Sequence, residues 1–295
     1  MAPPVLEYLG ALTRREMPGA ELELLNANVC EPAPCDIKAD LIGISSMTAT
    51  ITWTYKFSDE LRKLGKKVVL GGIHPTALPE EAKQHADAVV IGEAESVWGD
   101  VLRDVRDGKL REFYYGERLP LDNIPLPIPL KGPYKFRAVF TARGCPYRCS
   151  FCSVRKFFGD TIRCRPVNEV AEEVKKCTGR IYFNGDDNIW GGDSERSIEL
   201  FTKLPEDAKK WWYGFGDLYA PQSPLGDDLL KAARKSGLFS VWAGWEYYTG
   251  ARAVFEHPTT SPDEIEERYY RTSLELLSMK RILRIYSRSL SLVFP

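Results

Sequence analysis

The first third of the chain alternates short apolar runs with stretches whose apolar residues recur at helical spacing. Parallel strands covered on both faces are nearly continuous apolar runs in sequence, and helices packed on them carry apolar residues three and four positions apart. This pattern predicts strands at residues 21–28, 40–45, 66–72 and 87–93. It predicts helices at Leu6–Arg15, Thr52–Leu64, Pro79–His85 and Glu95–Asp107. The alternation favours an α/β fold with an open parallel sheet, Rossmann-like or flavodoxin-like.

The second half of the chain repeats the alternation. Strands are predicted at residues 137–142, 180–188, 210–218 and 238–246. Helices are predicted at Asn168–Lys176, Ser194–Lys203 and Gly226–Ser236. Four such units predict a partial (β/α) barrel, a fold that places its chemistry at the carboxyl ends of the strands.

These patterns divide the chain into four parts. Residues 1–110 are predicted to form a Rossmann-like domain that opens on a helix, so its first strand is expected to be missing. Residues 111–136 contain five prolines and predict an extended linker. Residues 137–250 are predicted to be the partial barrel, and residues 251–295 a tail built on one charged helix over residues 262–287.

Composition narrows the class of protein. The net charge of −1 over 295 residues gives no electrostatic basis for binding nucleic acid. The start, MAPPVLEYLG, lacks a basic segment followed by a long apolar one, and no run approaches the roughly 20 apolar residues of a membrane span. We therefore expect a cytoplasmic protein without a transmembrane segment, whose seven cysteines are free thiols or metal ligands.

Three of those cysteines lie within TARGCPYRCSFC, residues 141–152: Cys145, Cys149 and Cys152. A structural zinc site normally has four ligands, and no second Cys or His pair follows at a zinc spacing. A cubane cluster held by three thiolates leaves one iron open to bind a small molecule. The spacing therefore predicts a [4Fe–4S] cluster, with zinc binding as the alternative. Cys30 and Cys35 are interpreted as incidental.

The same stretch resembles the radical S-adenosylmethionine (SAM) superfamily, whose hallmark is Cys-x3-Cys-x2-Cys with an aromatic residue before the last cysteine. The resemblance implies that the open iron binds SAM and that one-electron reduction releases a 5′-deoxyadenosyl radical, which abstracts hydrogen from an unactivated C–H bond. IYFNGDDNIW and VWAGWE resemble strand ends of that family. They imply a SAM site that includes Phe151, Asp186, Asp187 and Glu246. IRCRPV, residues 162–167, also matches, and its arginines either hold a carboxylate or brace the loop.

A second resemblance covers residues 68–95. VVLGGIHPTALPEEAKQHADAVVIGEAE is similar to the cobalamin (B12)-binding domain that precedes some radical SAM cores. The resemblance implies that cobalamin binds at the carboxyl edge of the first sheet. The residues expected there are Ser45, Ser46, Met47, Thr48, Gly71, Gly72, His74, Gly92 and Glu93. Because the Asp-x-His-x-x-Gly pattern of histidine-ligated B12 proteins is absent, His74 is interpreted as structural rather than as a cobalt ligand.

Together the resemblances imply a cobalamin-dependent radical SAM enzyme, most often a methyltransferase acting on an unactivated carbon. Two alternatives remain open. One is a radical SAM enzyme without cobalamin that catalyses another rearrangement or cyclisation, and the other is a catalytically degenerate iron–sulfur subunit or electron carrier. Expected partners are a small, apolar substrate, which the resemblance of residues 255–284 to bacteriochlorophyll-ring and hopanoid-type enzymes also implies, and an electron donor such as flavodoxin or ferredoxin. The count of four barrel strands, where the family has six, predicts a shortened barrel.

Overall fold

Two parallel sheets organise the part of the chain that the computed structural model describes, residues 1–149, 152–204 and 210–243. The first sheet has the order β1 (Leu41–Ser45), β2 (Lys67–Gly71), β3 (Ala88–Ile91), β4 (Phe113–Tyr115), and the second the order β10 (Leu238–Trp242), β9 (Trp211–Phe215), β8 (Ile181–Asn184), β5 (Arg137–Val139). A two-stranded antiparallel ribbon of β6 (Ala142–Arg143) and β7 (Arg163–Cys164) lies between β5 and β8 in sequence. Among the described residues, none of the helices combines the length and apolar character required to cross a membrane.

The first sheet is covered on both faces. Its strands are β1 (Leu41–Ser45), β2 (Lys67–Gly71), β3 (Ala88–Ile91) and β4 (Phe113–Tyr115). Its helices are α1 (Pro4–Glu16), α2 (Ile51–Lys63), α3 (Ile73–Ala77), α4 (Pro79–Gln84) and α5 (Trp98–Arg106). Val69 and Val90 pack with Leu12 and Trp98 from α1 and α5, while Val68 packs with residues of α2 on the opposite face. This double burial explains the uninterrupted apolar runs of β2 and β3.

Two expectations for this region were wrong. Residues 21–28 form no hydrogen-bonded strand, although Leu22 and Leu24 are more buried than the neighbouring glutamates and lie against Gly10 of α1. The predicted linker contains β4, which pairs in parallel with β3 and extends the first sheet to Tyr115. A three-residue strand in a proline-rich segment is too short to produce a recognisable period-2 pattern.

The second sheet has helices on one face. Its strands are β5 (Arg137–Val139), β8 (Ile181–Asn184), β9 (Trp211–Phe215) and β10 (Leu238–Trp242). The covering helices are α7 (Val167–Lys176), α8 (Ser194–Lys203) and α9 (Gly226–Lys235). Tyr182 and Trp212 pack beneath these helices with Leu200 and Leu229. All four strands are parallel, as the strand–helix alternation predicts.

The cysteine segment lies between the two strands of the antiparallel ribbon. Ala142–Arg143 (β6) pairs with Arg163–Cys164 (β7), and the short helix α6 (Val154–Phe158) lies between them. Gly144 follows β6 at φ +94°, where a Cβ atom would lie 2.7 Å from the Thr161 carbonyl oxygen. A side chain at position 144 would therefore both strain the backbone and push the two sides of the ribbon apart.

Helix α1 joins the two sheets. The buried Glu7 carboxylate accepts a hydrogen bond from the Leu130 amide at 2.7 Å and pairs with Arg137 at the start of β5. The next residue of the helix, Tyr8, donates a hydrogen bond to Glu173 of α7. Glu173 also pairs with Arg165 at 2.6 Å. Because these charges are buried together, each depends on its partner for stability. The predicted tail, residues 251–295, lies outside the described residues.

Candidate functional site

The cysteine loop lies over the carboxyl ends of the second sheet. Asp187, which follows β8, accepts a hydrogen bond from the Gly144 amide at 3.0 Å. The Tyr147 hydroxyl hydrogen bonds to Asp217, which follows β9. Asp217 is fixed in turn by the Asn188 side chain at 2.7 Å. Two carboxylates at strand ends therefore hold the start of the loop, which is where barrel folds place their functional groups.

The thiols of the loop lie in an electrostatically unusual setting. Burial, together with smaller contributions from the Cys149 thiol and the Asp187 and Asp217 carboxylates, raises the pKa of Cys145 to about 11, against a backbone hydrogen bond from Tyr147 that lowers it. The Cys152 amide donates to the Cys149 carbonyl at 3.1 Å, so these two residues share a turn. A positively charged metal centre would reverse this accumulation of negative charge and favour the thiolates.

The three cysteines share one short loop but do not form a closed ligand cluster. In residues 1–149, 152–204 and 210–243, no three Cys, His, Asp or Glu side chains lie close enough together to hold a metal ion. Cys145, Cys149 and Cys152 are all half-buried and form no disulfide. The chemistry of this donor set fits an iron–sulfur cluster, because soft thiolates without histidine or carboxylate ligands are what such clusters use.

The two acidic residues predicted for the SAM site have structural partners. Asp186 is 1% exposed and accepts hydrogen bonds from the Thr141 amide at 2.6 Å, the Thr141 hydroxyl and the Ala142 amide. Burial raises the pKa of Asp186 to about 6, against these hydrogen bonds, which lower it. Asp187 points to the cysteine loop, and burial raises its pKa. Phe151 and Glu246, the other predicted residues of this site, lie outside the described residues.

The carboxyl edge of the first sheet brings together the residues predicted to bind cobalamin. Ser45, Gly71 and Ile91 end three neighbouring strands. Gly72 has φ +99°, and a Cβ atom there would lie 2.7 Å from the Ser46 carbonyl oxygen. Met47 is 61% exposed beside this backbone. An edge of bare backbone flanked by exposed apolar side chains fits a large, flat ligand. Thr48 and Gly92, which are also among the residues predicted to bind cobalamin, are exposed at the same edge.

The His74 ring contacts other side chains of the chain through both of its nitrogens. Its Nδ1 lies 3.2 Å from the Thr48 hydroxyl and its Nε2 lies 3.3 Å from Glu81 Oε1. The ring is 8% exposed and meets Tyr55 edge-on. Both ring nitrogens have partners within the chain, and the structural role of His74 stays a prediction.

We therefore expect His74→Ala to retain cobalamin while it loosens the sheet edge. Loss of two partly buried hydrogen bonds should lower the free energy of unfolding by about 1–3 kcal/mol. The measurement is cobalt content after incubation with hydroxocobalamin and desalting, with His85→Ala as the matched control. A folded His74→Ala variant without cobalt would show that the ring is a ligand.

Glu93 lies at the sheet edge but turns toward the ribbon. Its carboxylate pairs with Arg143 of β6 at 2.6 Å and with Arg163 of β7. Arg143 also pairs with Glu95 at 2.6 Å. The sequence match singled out Arg163 and Arg165 without deciding their role, and in the structure each pairs with a carboxylate of the chain, Arg163 with Glu93 and Arg165 with Glu173. Arg143 was missed as a functional residue, and the only sequence signal for it is its place before Gly144 in the cysteine motif.

An aromatic surface occupies the second-sheet face opposite α7, α8 and α9. The Tyr213 ring lies 5.1 Å from Phe183 and 5.6 Å from Trp242, measured between centroids. Phe215 lies 5.4 Å from Trp242, and these two side chains are 43% and 54% exposed. Aromatic rings exposed on a sheet face near a predicted reaction centre suit contact with an apolar molecule.

Comparison with known proteins agrees with this arrangement. The B12-binding domain family matches residues 3–102. Bacteriochlorophyllide d C-8(2)-methyltransferase of Chlorobaculum tepidum is 35% identical over 182 residues, which are 57% of this chain and 40% of that protein. Bacteriochlorophyllide d C-12(1)-methyltransferase of the same organism is 30% identical over 185 residues, 57% of this chain and 41% of that protein. The chain thus spans about two fifths of the length of these curated relatives.

A solved structure shares the fold. The radical SAM methyltransferase TsrM from Kitasatospora setae, determined with cobalamin and a [4Fe–4S] cluster bound, aligns with a TM-score of 0.69 at 15% identity. The alignment covers 93% of this chain and 65% of TsrM. Most of the first sheet lies within the residues that match the B12-binding domain family, and the likeness to TsrM is one of fold. The chain therefore carries a match to the B12-binding domain family over residues 3–102 and is similar to the bacteriochlorophyllide d methyltransferases of Chlorobaculum tepidum.

Proposed function

We propose that this chain is a cobalamin-dependent radical SAM enzyme that methylates an unactivated carbon of a small, apolar molecule. The observation that carries the proposal is the direct contact between the edge of the B12-binding sheet and the ribbon of the cysteine loop, through Glu93, Arg143 and Arg163. Cofactors at these two places would lie on either side of this contact. When bound, the cluster and SAM supply radical chemistry and cobalamin supplies a transferable methyl group.

The residues of the chain have separate tasks in this proposal. Cys145, Cys149 and Cys152 bind iron. Asp187 and Asp217 fix the loop over the second sheet. Gly72 allows the chain to turn closely against Ser46 at the sheet edge where cobalamin would bind. The aromatic surface of Phe183, Tyr213, Phe215 and Trp242 binds the apolar part of the substrate and excludes water from a radical site.

Metal analysis after anaerobic reconstitution with iron, sulfide and hydroxocobalamin tests the proposal. We expect about four irons and one cobalt per chain, the content of one cubane cluster and one B12. On addition of dithionite and SAM, release of 5′-deoxyadenosine should follow. Iron without cobalt would support a radical SAM enzyme that does not use cobalamin. Zinc without iron, or iron without cleavage of SAM, would contradict an enzymatic role for the loop.

An acidic flavodoxin or ferredoxin belongs to the same proposal as the physiological electron donor. Its contribution is measurable as 5′-deoxyadenosine released when flavodoxin with its reductase replaces dithionite.

A further inference from the structure

We infer that Glu93 is a positioning residue that couples the B12-binding edge to the cysteine loop, rather than a residue that contacts cobalamin. The inference rests on the proposed function, because it concerns how the two cofactor sites are held together. It assigns Glu93 a role different from the one implied by its place among the predicted cobalamin residues.

The ribbon holds two arginine side chains next to each other. Arg143 and Arg163 are register partners on the antiparallel strands β6 and β7, so their side chains leave the ribbon on the same side. Both guanidinium groups reach one carboxylate, that of Glu93, with Arg143 Nη1 and Arg163 Nη1 at 2.6 and 3.0 Å from Oε2. Two cations on neighbouring strands would repel each other, and the shared carboxylate removes that repulsion.

This group of charged side chains is largely buried. Glu93 is 8% exposed, and the side chains of Arg163 and Arg143 are 14% and 19% exposed. Glu95 completes a set of two anions and two cations, so the group carries no net charge. Interactions among partly desolvated charges are stronger than surface ion pairs, and removal of one partner leaves the others uncompensated.

Glu93 and Arg143 each lie close in sequence to one of the two predicted cofactor sites. Glu93 comes directly after Gly92, at the end of β3 in the B12-binding sheet, and Gly92 has φ +82°. Arg143 is two residues before Cys145. A ligand that displaces the backbone at Gly92 therefore acts on Glu93, and any movement of Glu93 acts on the loop that carries the first thiol. Arg163 also donates to the Leu119 carbonyl at 2.7 Å, which ties the segment after β4 into the same group.

Coupling between two sites is reciprocal, so occupancy of one site must change the stability of the other. We expect hydroxocobalamin to slow the loss of iron from the reconstituted chain to a chelator by about five-fold or more, within the usual range for coupled sites. Glu93→Gln and Arg163→Gln should each bind iron and cobalamin but lose this slowing. A purely structural role would instead speed iron loss equally with and without cobalamin.

Two controls define the outcome. Glu112→Gln removes an exposed ion pair with Lys83 in the same domain and should retain the full effect of cobalamin. Hydrogen exchange in the peptide that spans residues 141–149 should become faster in Glu93→Gln, even without cofactors, and should not change in Glu112→Gln.

The results separate this inference from the proposed function. If the unaltered chain binds iron and cobalt but Glu93→Gln still shows cobalamin-dependent slowing, the coupling role is overturned while the enzymatic proposal stands. If Glu93→Gln binds no cobalamin although residues 141–149 exchange normally, Glu93 is a direct contact. If the unaltered chain binds no cobalt, both proposals fall.

Discussion

Alanine at Cys145, Cys149 or Cys152 is expected to abolish iron binding. Each variant leaves two thiols on the loop, and a cubane cluster held by two protein ligands would expose two iron atoms and decompose. Iron per chain should fall from about four to near background, together with the brown absorbance of the cluster. The measurement is iron and sulfide content after anaerobic reconstitution and desalting.

Cys164→Ala is the matched control. Cys164 is a half-buried free thiol on β7, close in the fold to the cysteine loop and similarly shielded, and burial raises its pKa. It lies outside the x3–x2 spacing, so its removal should leave iron content unchanged. A full iron complement in any of the three loop variants, or loss of iron in Cys164→Ala, would contradict the assignment of ligands.

The first sheet was predictable because burial on both faces leaves a strong sequence signal. β2 and β3 are apolar runs, β2 ending at Gly71 and β3 followed by Gly92, and helices follow each of them. The cysteine loop was equally predictable, since a metal-binding loop must carry its ligands at fixed spacing. Residues 21–28 show the limit of this reasoning. Their alternating burial matches a strand, but a strand also needs a hydrogen-bonding neighbour, which the pattern does not reveal.

The pairs that join the two domains were not predictable from sequence. Glu93 and Arg143 are 50 residues apart, and Glu7 lies 123 residues from its Leu130 partner. Nothing in the local sequence of a charged residue identifies a partner at that distance. The same limit explains why Glu93 was grouped with the residues of the B12 edge. The motif fixed its place after β3 but not the direction of its side chain.

Asp186, at the end of β8, holds neighbouring backbone in place through hydrogen bonds. The motif placed Asp186 beside SAM, whereas in the structure its two oxygens accept three hydrogen bonds from Thr141 and Ala142. These bonds tie the end of β8 to the segment that leads into the ribbon. The acid therefore supports the cysteine loop from beneath, and Asp187, the next residue, contacts the loop directly.

We accordingly expect Asp186→Ala to destabilise the chain by about 3–5 kcal/mol, because two buried amides and a hydroxyl lose their acceptor. Asp186→Asn keeps an oxygen for the amides and a donor for the hydroxyl, so its cost should be smaller, about 1 kcal/mol. Urea unfolding at pH 7 measures both. Equal stability of Asp186→Ala and the unaltered chain would show that the hydrogen bonds contribute nothing.

The pH dependence of the unaltered chain relative to Asp186→Asn gives a second, independent test. Burial raises the pKa of Asp186 from 3.8 to about 6 in the folded chain, so the folded state retains a proton that the unfolded state has lost between these values. Stability contributed by this group is therefore greatest below pH 4 and is lost as the pH rises through 6. Between pH 4 and pH 7, the unaltered chain should lose roughly 2–3 kcal/mol of unfolding free energy relative to Asp186→Asn. A difference that stays constant, or that moves in the opposite direction, would mean that hydrogen bonds to the ionised form outweigh its burial.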